Sequence, residues 1–190
     1  LTMINMILAA DEQGGIGFKN GLPWPKIKED LSWFKQLTED NVVVMGSTTW
    51  KSLGVHAPLK HRHNYVISST HSKDDFPGCF AVRNPKIDSI EVILKALDFA
   101  YPEKDVFIIG GKTLYDEAIQ YCDALFLTCI HDQYQSDTII DVDSYKKNFV
   151  LLNQMYSQGN QHIPDITFET YLREEQSGQQ DFDWDDDIPF

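Results

Sequence analysis

The sequence predicts an α/β fold in one domain, built on a mostly parallel, twisted sheet with an antiparallel C-terminal edge and about four flanking helices. Short apolar runs alternate with helical patterns through residues 3–121, which favours parallel strands. The last three apolar runs follow one another without a predicted helix, which favours an antiparallel edge. Hydrophobic residues make up 42% of the 190 residues, enough to form a sizeable core.

The first half of the chain contains apolar runs of strand length. The predicted strands here are 3–10, 42–46, 64–69 and a weaker one at 79–82. Helical spacing covers about 27–38, and a second, short helix is predicted at 47–53.

The second half begins with a predicted helix at 89–100, where Asp88 and Glu91 have the spacing of a capping box. A buried strand at 105–110 leads into a helix from about 112 to 121. The remaining predicted strands are 124–130, 148–152 and 166–172.

Charge divides the chain into a predicted domain, 1–173, and an acidic tail, 174–190. The whole chain has 29 acidic and 16 basic residues, a net charge of −13. Seven of the acids lie in 174–190, a segment rich in Gln, Asp, Ser and Gly that we expect to be disordered. The domain keeps 22 acids and 16 bases, so we expect no direct binding to nucleic acid.

The sequence also indicates where the protein works. It shows neither a secretory signal nor an apolar run long enough to span a membrane. Cys79, Cys122 and Cys129 are odd in number and have no CxxC spacing, which argues for a reducing cytoplasm and against a disulfide framework or structural zinc. The histidines lack a recognised metal spacing, so no metal site is predicted.

Two strand-to-helix junctions share one design. The run VVVMG leads into Ser47, Thr48 and Thr49, and the run VFIIGG leads into Lys112 and Thr113. Glycine allows a close approach, and the N–H groups of a helix start bind phosphate. Each junction is equally typical of an ordinary helix start after a tight turn, so both interpretations stay open.

Asp30 lies beside the apolar stripe of the 27–38 helix, formed by Ile27, Leu31 and Phe34. A carboxylate there needs a partner, and a ligand with two parallel N–H groups would satisfy both oxygens. The alternative is an acid that favours the helix dipole, as its neighbour Glu29 does.

Two further features are candidates. The loop 14–25 combines glycines with Trp24 between two prolines, which suits either a lid over a site or an ordinary surface loop. Arg62 offers a fork-shaped cation for a carboxylate, or it is an exposed surface residue.

In order and spacing, these pieces resemble dihydrofolate reductase over roughly residues 3–173. The residues that match are Gly15, Ile16, Gly17, Asn20, Gly21, Leu22, Pro23, Trp24, Asp30, Leu31, Phe34, Lys35, Val44, Met45, Gly46, Thr49, Trp50, Ser52, Leu53, Arg62, Asn64, Ser68, Ser69, Ile108, Ile109, Gly110, Gly111, Tyr115, Leu127, Thr128, Asp137 and Thr138. The resemblance favours the functional interpretation of Asp30 and of both junctions.

The resemblance implies reduction of 7,8-dihydrofolate with NADPH. Asp30 would hold the pterin ring and favour its protonation, Trp24 would order a water, and Leu22 would lie at the lid tip. The implied substrate site comprises Ile7, Ala9, Asp30, Leu31, Phe34, Leu53, Arg62, Ile109 and Thr128, with Arg62 on the glutamate carboxylate and Thr128 on Asp30.

The resemblance also implies a cofactor site, with a cis bond between Gly110 and Gly111. The implied cofactor residues are Ala9, Gly15, Ile16, Gly17, Asn20, Gly21, Leu22, Gly46, Ser47, Thr48, Thr49, Ser68, Ser69, Arg83, Gly110, Gly111, Lys112, Thr113, Leu114 and Tyr115. Ser47 and Thr113 stand where family members carry arginines, which leaves the preference between NADPH and NADH open.

The tail resembles the C-terminal tip of bacterial single-stranded-DNA-binding protein. The match lies in the last six residues, and the implied partner-binding residues are Trp184, Asp185, Asp186, Asp187, Ile188, Pro189 and Phe190. The resemblance implies docking onto bacterial replication and repair proteins that recognise this tip, with an apolar anchor and steering charges. A merely solubilising tail would explain the aspartates alone.

We therefore expect a monomeric NADPH-dependent reductase of the bacterial cytoplasm that binds dihydrofolate and carries a docking tail. Two alternatives remain. In the first, the chain is an interaction protein that competes through its tail and has a weakly active or inactive reductase body. In the second, it is a reductase of another pteridine or flavin-like heterocycle, for which Arg62 would be unnecessary.

Overall fold

The structure, a computed structural model that describes residues 2–174, has ten strands and five α-helices within that range. The strands are β1 (Ile4–Asp11), β2 (Gly15–Gly17), β3 (Val42–Gly46), β4 (His63–Ile67), β5 (Ala81–Arg83), β6 (Val106–Ile108), β7 (Ala124–Ile130), β8 (Thr138–Ile139), β9 (Phe149–Ser157) and β10 (Ile166–Arg173). The helices are α1 (Lys28–Thr38), α2 (Ser47–Leu53), α3 (Ile90–Ala100), α4 (Lys112–Ala118) and α5 (Val142–Lys146). The predicted docking tip lies outside the described residues.

Eight strands form one sheet in the order β5-β4-β3-β6-β1-β7-β10-β9. From β5 to β7 every neighbouring pair is parallel, and β10 runs antiparallel to both β7 and β9. The predicted fold class, a mostly parallel sheet with an antiparallel C-terminal edge, is confirmed.

Alternate residues of the buried strands face opposite sides of the sheet. On one side Met6, Leu8 and the neighbouring strand residues pack against the apolar faces of α3 and α4. On the other side Ile7, Val43 and Phe107 pack with residues of α1 and α2. Both faces of the parallel strands are therefore buried, which explains their continuous apolar runs.

Three local expectations were wrong. The α3 cap is Ser89, whose side chain accepts a hydrogen bond from the backbone N–H of Val92, and not a capping box from Asp88. A five-residue helix, α5, lies between the C-terminal strands, where none was expected. The loop 14–25 contains β2, which pairs with β8. Such short elements depend on tertiary partners and show no periodicity of their own.

Within residues 2–174, no helix is long and apolar enough to cross a membrane. In the same range, no group of three or more His, Cys, Asp or Glu side chains is placed to hold a metal ion.

Candidate active site

The parallel register brings the two predicted glycine junctions together. β3 and β6 are neighbours in the sheet, so their carboxyl ends lie side by side. The backbone N–H of Gly46 donates to the carbonyl of Gly110 over 2.8 Å, which joins the start of α2 to the start of α4. In an open α/β sheet this edge is where ligands bind.

Gly110 cannot be replaced by a larger residue without strain. The bond between Gly110 and Gly111 is cis, and Gly110 has φ +128°. A Cβ on Gly110 would lie 2.9 Å from Thr49 Oγ1 and 3.4 Å from the Tyr115 hydroxyl. The close approach of backbone and side chains at this point therefore requires glycine.

At both junctions, the first backbone N–H groups of the following helix are available as hydrogen-bond donors. Neither Gly46 nor Gly111 supplies a side-chain cap to the helix that follows it. Backbone N–H groups that side chains do not cap can bind phosphate oxygens. The junctions therefore fit the phosphates of a dinucleotide cofactor.

Asp30 lies on the first turn of α1 and lines a cavity of about 260 Å³. The other lining residues are Leu22, Trp24, Lys26, Ile27 and Leu31. Burial raises the pKa of the Asp30 carboxyl above its ordinary 3.8, and the hydrogen bond with Thr128 acts in the opposite direction. The carboxyl is thus a partly desolvated acid at the mouth of a cleft, not a solvated surface charge.

The environment of Asp30 is organised by β1 and β7. Thr128 is 2% exposed and pairs in register with Ala9 on β1. The hydroxyl of Tyr115 donates to the carbonyl of Ile7 over 2.9 Å, which ties α4 to the same strand. Burial, with the Asp30 charge as a second cause, raises the pKa of Tyr115, so its hydroxyl stays protonated and acts as a donor.

Four of the residues expected to form the substrate pocket belong to one apolar cluster, namely Ile7, Phe34, Leu53 and Ile109. Leu31 is 40% exposed and lines the cavity beside Asp30. An exposed leucine beside a buried carboxyl makes an amphipathic site that suits a heterocycle with a polar edge.

Arg62 is positioned by the end of α1. Its Nε donates to Thr38 Oγ1 over 3.2 Å, and its Nη1 donates to the carbonyl of Lys60 over 2.5 Å. Burial lowers the pKa of this guanidinium, while Glu39 and Asp40 oppose the change. The lowered pKa still leaves Arg62 charged at neutral pH, so it can bind a carboxylate.

The lid loop, residues 12–27, has an ordered tip. Phe18 and Gly21 exchange two backbone hydrogen bonds of 2.9 and 3.0 Å, with Lys19 and Asn20 at positive φ between them. Leu22 follows this turn and is 54% exposed on the cavity side. Trp24 is buried, and its ring meets Tyr134 edge-on at 6.3 Å between centroids.

Two aspartates that we did not predict as site residues hold the lid. Asp11 Oδ1 accepts from the N–H groups of Gln13 and Gly15, and its Oδ2 accepts from that of Tyr134. Near the tip, Asp137 Oδ2 accepts from the N–H of Lys19 over 2.7 Å. The position of Asp11 between an apolar strand and a glycine pair is the signal that could have identified it.

At the predicted adenosine end of the cofactor site, one of the two serine hydroxyls already takes part in local hydrogen bonds. Ser68 Oγ accepts from the N–H groups of Thr70 and His71, so this hydroxyl is used within the turn. Ser69 and Arg83 are exposed beside it and fit a phosphate. At the second junction, Lys112 Nζ pairs with Asp116 at 2.7 Å.

A larger cavity, of about 370 Å³, lies elsewhere and is lined by Ala10, Leu127, Cys129, Ile140 and neighbouring residues. Because side chains alternate along β7, Leu127 and Cys129 point away from the face that carries Thr128. The site chemistry therefore belongs to the smaller cavity, which holds Asp30.

Comparison with known proteins decides the family. The family model for dihydrofolate reductase matches residues 3–173. The chain belongs to the dihydrofolate reductase family. It is similar to the dihydrofolate reductase of Bacillus subtilis (strain 168), with 35% identity over 71% of this chain and 73% of that protein. It is also similar to that of Schistosoma mansoni, with 37% identity over 76% of this chain and 82% of that protein.

Among solved structures, the chain is similar to dihydrofolate reductase from Enterococcus faecalis complexed with NADP(H) and RAB-propyl. The TM-score is 0.72 at 29% identity, covering 91% of this chain and 97% of that chain. The predicted fold and the predicted enzyme class, a dihydrofolate reductase, are confirmed.

The Asp11 contacts predict a looser lid in Asp11→Asn. The amide group replaces one accepting oxygen with a donor, although three backbone N–H groups point at this side chain. A hydrogen bond to a charged group is worth about 1.5–3 kcal/mol, so exchange of the lid amides should quicken roughly ten-fold or more. Hydrogen exchange of residues 12–21 measures this. The exposed neighbour supplies the control, Glu12→Gln, and equal exchange in the two variants would contradict the assignment.

The raised pKa of Asp30 predicts a change of stability with pH. Folding favours the protonated acid, so the stability that Asp30 contributes is complete below about pH 3.8 and is lost as the pH rises through the raised pKa. Asp30→Asn carries no charge to desolvate. Its free energy of unfolding should therefore rise relative to the unsubstituted protein across this window, then level off.

Urea unfolding between about pH 4 and pH 7 measures that difference. Glu29→Gln is the matched control, because Glu29 is exposed on the same turn. A relative stability of Asp30→Asn that falls as the pH rises would show that the carboxylate is stabilised by folding.

Proposed function

We propose that the protein reduces 7,8-dihydrofolate to 5,6,7,8-tetrahydrofolate with NADPH. The observation that carries the proposal is the partly desolvated Asp30 carboxyl beside Thr128, in a cleft next to two glycine junctions that fit phosphates. The overall change adds a hydride to C6 and a proton to N5 of the pterin, while NADPH becomes NADP⁺.

Asp30 acts on the pterin edge. Its carboxylate accepts hydrogen bonds from a ring N–H and from the exocyclic amine, and the negative charge favours protonation of N5. Thr128 keeps the carboxyl oriented by a hydrogen bond. When bound, NADPH supplies the hydride, and protonation of the ring makes C6 a better acceptor.

The lid and the pocket walls control access and orientation. Leu22 and Trp24 line the cavity with Asp30, so closure of the lid over the substrate excludes water. Ile7, Phe34, Leu53 and Ile109 hold the apolar body of the substrate.

Arg62 pairs with the distal carboxylate of the substrate, which distinguishes dihydrofolate from a pteridine without that group. This role favours dihydrofolate over the alternative heterocycles. The backbone at Gly46 and Gly111, with Thr48 and Thr49, holds the cofactor phosphates.

The proposal predicts that Asp30→Asn loses most of its turnover near neutral pH. General acid–base groups contribute about 10²–10⁴-fold, and we expect a fall in kcat of that order. Part of the loss should be recovered at low pH, where the substrate is already protonated. The absorbance change of NADPH oxidation with dihydrofolate measures both effects. Glu29→Gln should keep normal turnover, and an active Asp30→Asn enzyme at pH 7 would remove Asp30 from the mechanism.

We further propose that the tail docks onto bacterial proteins that recognise the tip of single-stranded-DNA-binding protein. The observation that favours this is the sequence of residues 185–190, three aspartates followed by Ile188, Pro189 and Phe190. The apolar residues anchor the segment in a pocket, and the aspartates lie along a basic surface. Docking of this kind would bring folate reduction near DNA synthesis.

A synthetic peptide of residues 179–190 should bind a tip-recognising protein and be displaced by the tip peptide of single-stranded-DNA-binding protein. Phe190→Ala should abolish binding, because the anchor is lost, whereas Gln180→Ala should not. Fluorescence anisotropy of the labelled peptides measures both. Equal binding of the two variants, or the absence of binding by the parent peptide, would refute docking without affecting the reductase assignment.

A further inference from the structure

Trp24 is the one buried residue in an otherwise open stretch of the lid, residues 20–26. It is 6% exposed, whereas the other residues of this stretch are exposed or half-buried. Among the described residues, no backbone group of 22–26 pairs with another backbone group. The flanking prolines, Pro23 and Pro25, have no N–H to donate. The position of the indole ring therefore depends on side-chain packing.

That packing comes from segments far along the chain. Trp24 belongs to one apolar cluster with Ile130 of β7 and Phe168 of β10. Tyr134, in the loop between β7 and β8, packs against the same cluster. Its ring meets Trp24 edge-on, with 6.3 Å between centroids and 66° between the ring planes. Aromatic pairs prefer such an edge-to-face arrangement, so the contact favours one orientation of the indole.

Tyr134 is itself held from several sides. Its backbone N–H donates to Asp11 Oδ2 over 2.9 Å, and its carbonyl accepts from Ser136 Oγ over 3.4 Å. Burial, followed by the charge of Asp132 and a hydrogen bond to it, raises the pKa of the hydroxyl, so the side chain is neutral at pH 7. The ring is thus presented to Trp24 by a fixed backbone.

We propose that Tyr134 is a positioning residue for the reductase reaction, and that it acts by holding the Trp24 indole in the wall of the Asp30 cavity. Trp24 lines that cavity together with Asp30. A fixed indole keeps the substrate oriented and keeps bulk water away from the carboxyl. Through the Tyr134 N–H, Asp11 extends its hold on the lid to this wall. The inference rests on the proposed function, since it needs a pterin in this cavity.

Turnover tests the role in the reaction. Tyr134→Leu removes the aromatic ring and keeps an apolar side chain. Its kcat should fall about ten-fold, because a displacement of about 1 Å in a positioned group can cost on the order of 10²-fold in rate. The KM for NADPH should not change, since the phosphate junctions follow β3 and β6. The absorbance change of NADPH oxidation with dihydrofolate measures both values.

Two variants serve as matched controls for this assay. Tyr134→Phe keeps the ring that contacts Trp24 and should retain the turnover of the parent protein. Tyr156→Leu makes the same change as Tyr134→Leu at an exposed tyrosine of β9, and it should also retain turnover.

Fluorine NMR of the protein labelled with 5-fluorotryptophan tests the contact itself, without turnover. The chain has four tryptophans, and Trp24→Phe identifies the Trp24 line. In Tyr134→Leu this line should shift, whereas the line of Trp50, which packs in another cluster, should stay. Asp11→Asn should shift the Trp24 line too, but should add little in the Tyr134→Leu background, because both act through one contact.

Three results would overturn the proposal. In Tyr134→Leu, a kcat or a Trp24 line equal to that of the parent would mean that Tyr134 does not position the indole for the reaction. A Trp50 line that moves as much as the Trp24 line would give Tyr134 a role in the fold alone. If Tyr134→Leu does not fold, an unshifted Trp24 line in Asp11→Asn would overturn the proposal.

Failure of the proposed function would look different. The parent protein would then show no turnover with dihydrofolate, while the fluorine spectra, which do not depend on activity, would still report the contact between Tyr134 and Trp24.

Discussion

A carboxylate drawn partly out of water is the constraint on which the rest of the site depends. Burial makes the charge of Asp30 costly, and the hydroxyl of Thr128 offsets part of that cost. The pair can form because α1 covers the face of the sheet on which Thr128 lies. A substrate with N–H groups offers what the protein does not, hydrogen bonds to both oxygens, so the acid is stabilised most when the site is filled.

The parallel register extends this constraint to the cofactor side. β6 lies between β1 and β3 in the sheet. The carboxyl end of β1, beside the pterin pocket, therefore lies next to the carboxyl ends of β3 and β6, which lead to the phosphate junctions. Tyr115 links the two halves, since it belongs to α4 and donates to Ile7 on β1. The lid depends on the same edge, because Asp11 is the last residue of β1 and accepts from lid backbone. Substrate, cofactor and lid are therefore held by neighbouring strand ends.

The sequence allowed most of the sheet and the position of the site to be predicted. Continuous apolar runs identified the buried strands to within a few residues, since both of their faces are covered. The role of Asp137 in the lid and the helix α5 could not be predicted, because they depend on contacts between distant segments, such as Asp137 with Lys19. The apolar stripe around Asp30 indicated a buried acid, but Thr128, 98 positions later, emerged as its partner only through the family resemblance.

The two edges of the sheet are guarded in different ways. β5 has three residues and ends in the charged Arg83, so it offers little backbone to another strand. β9 is three times as long and uncharged, and its protection has to come from outside the strand. Seven acids lie in residues 174–190, directly after the strand that pairs with β9. Charge that most proteins place within an edge strand is here carried by the sequence that follows β10, and its negative sign repels other copies of this chain, whose net charge is −13.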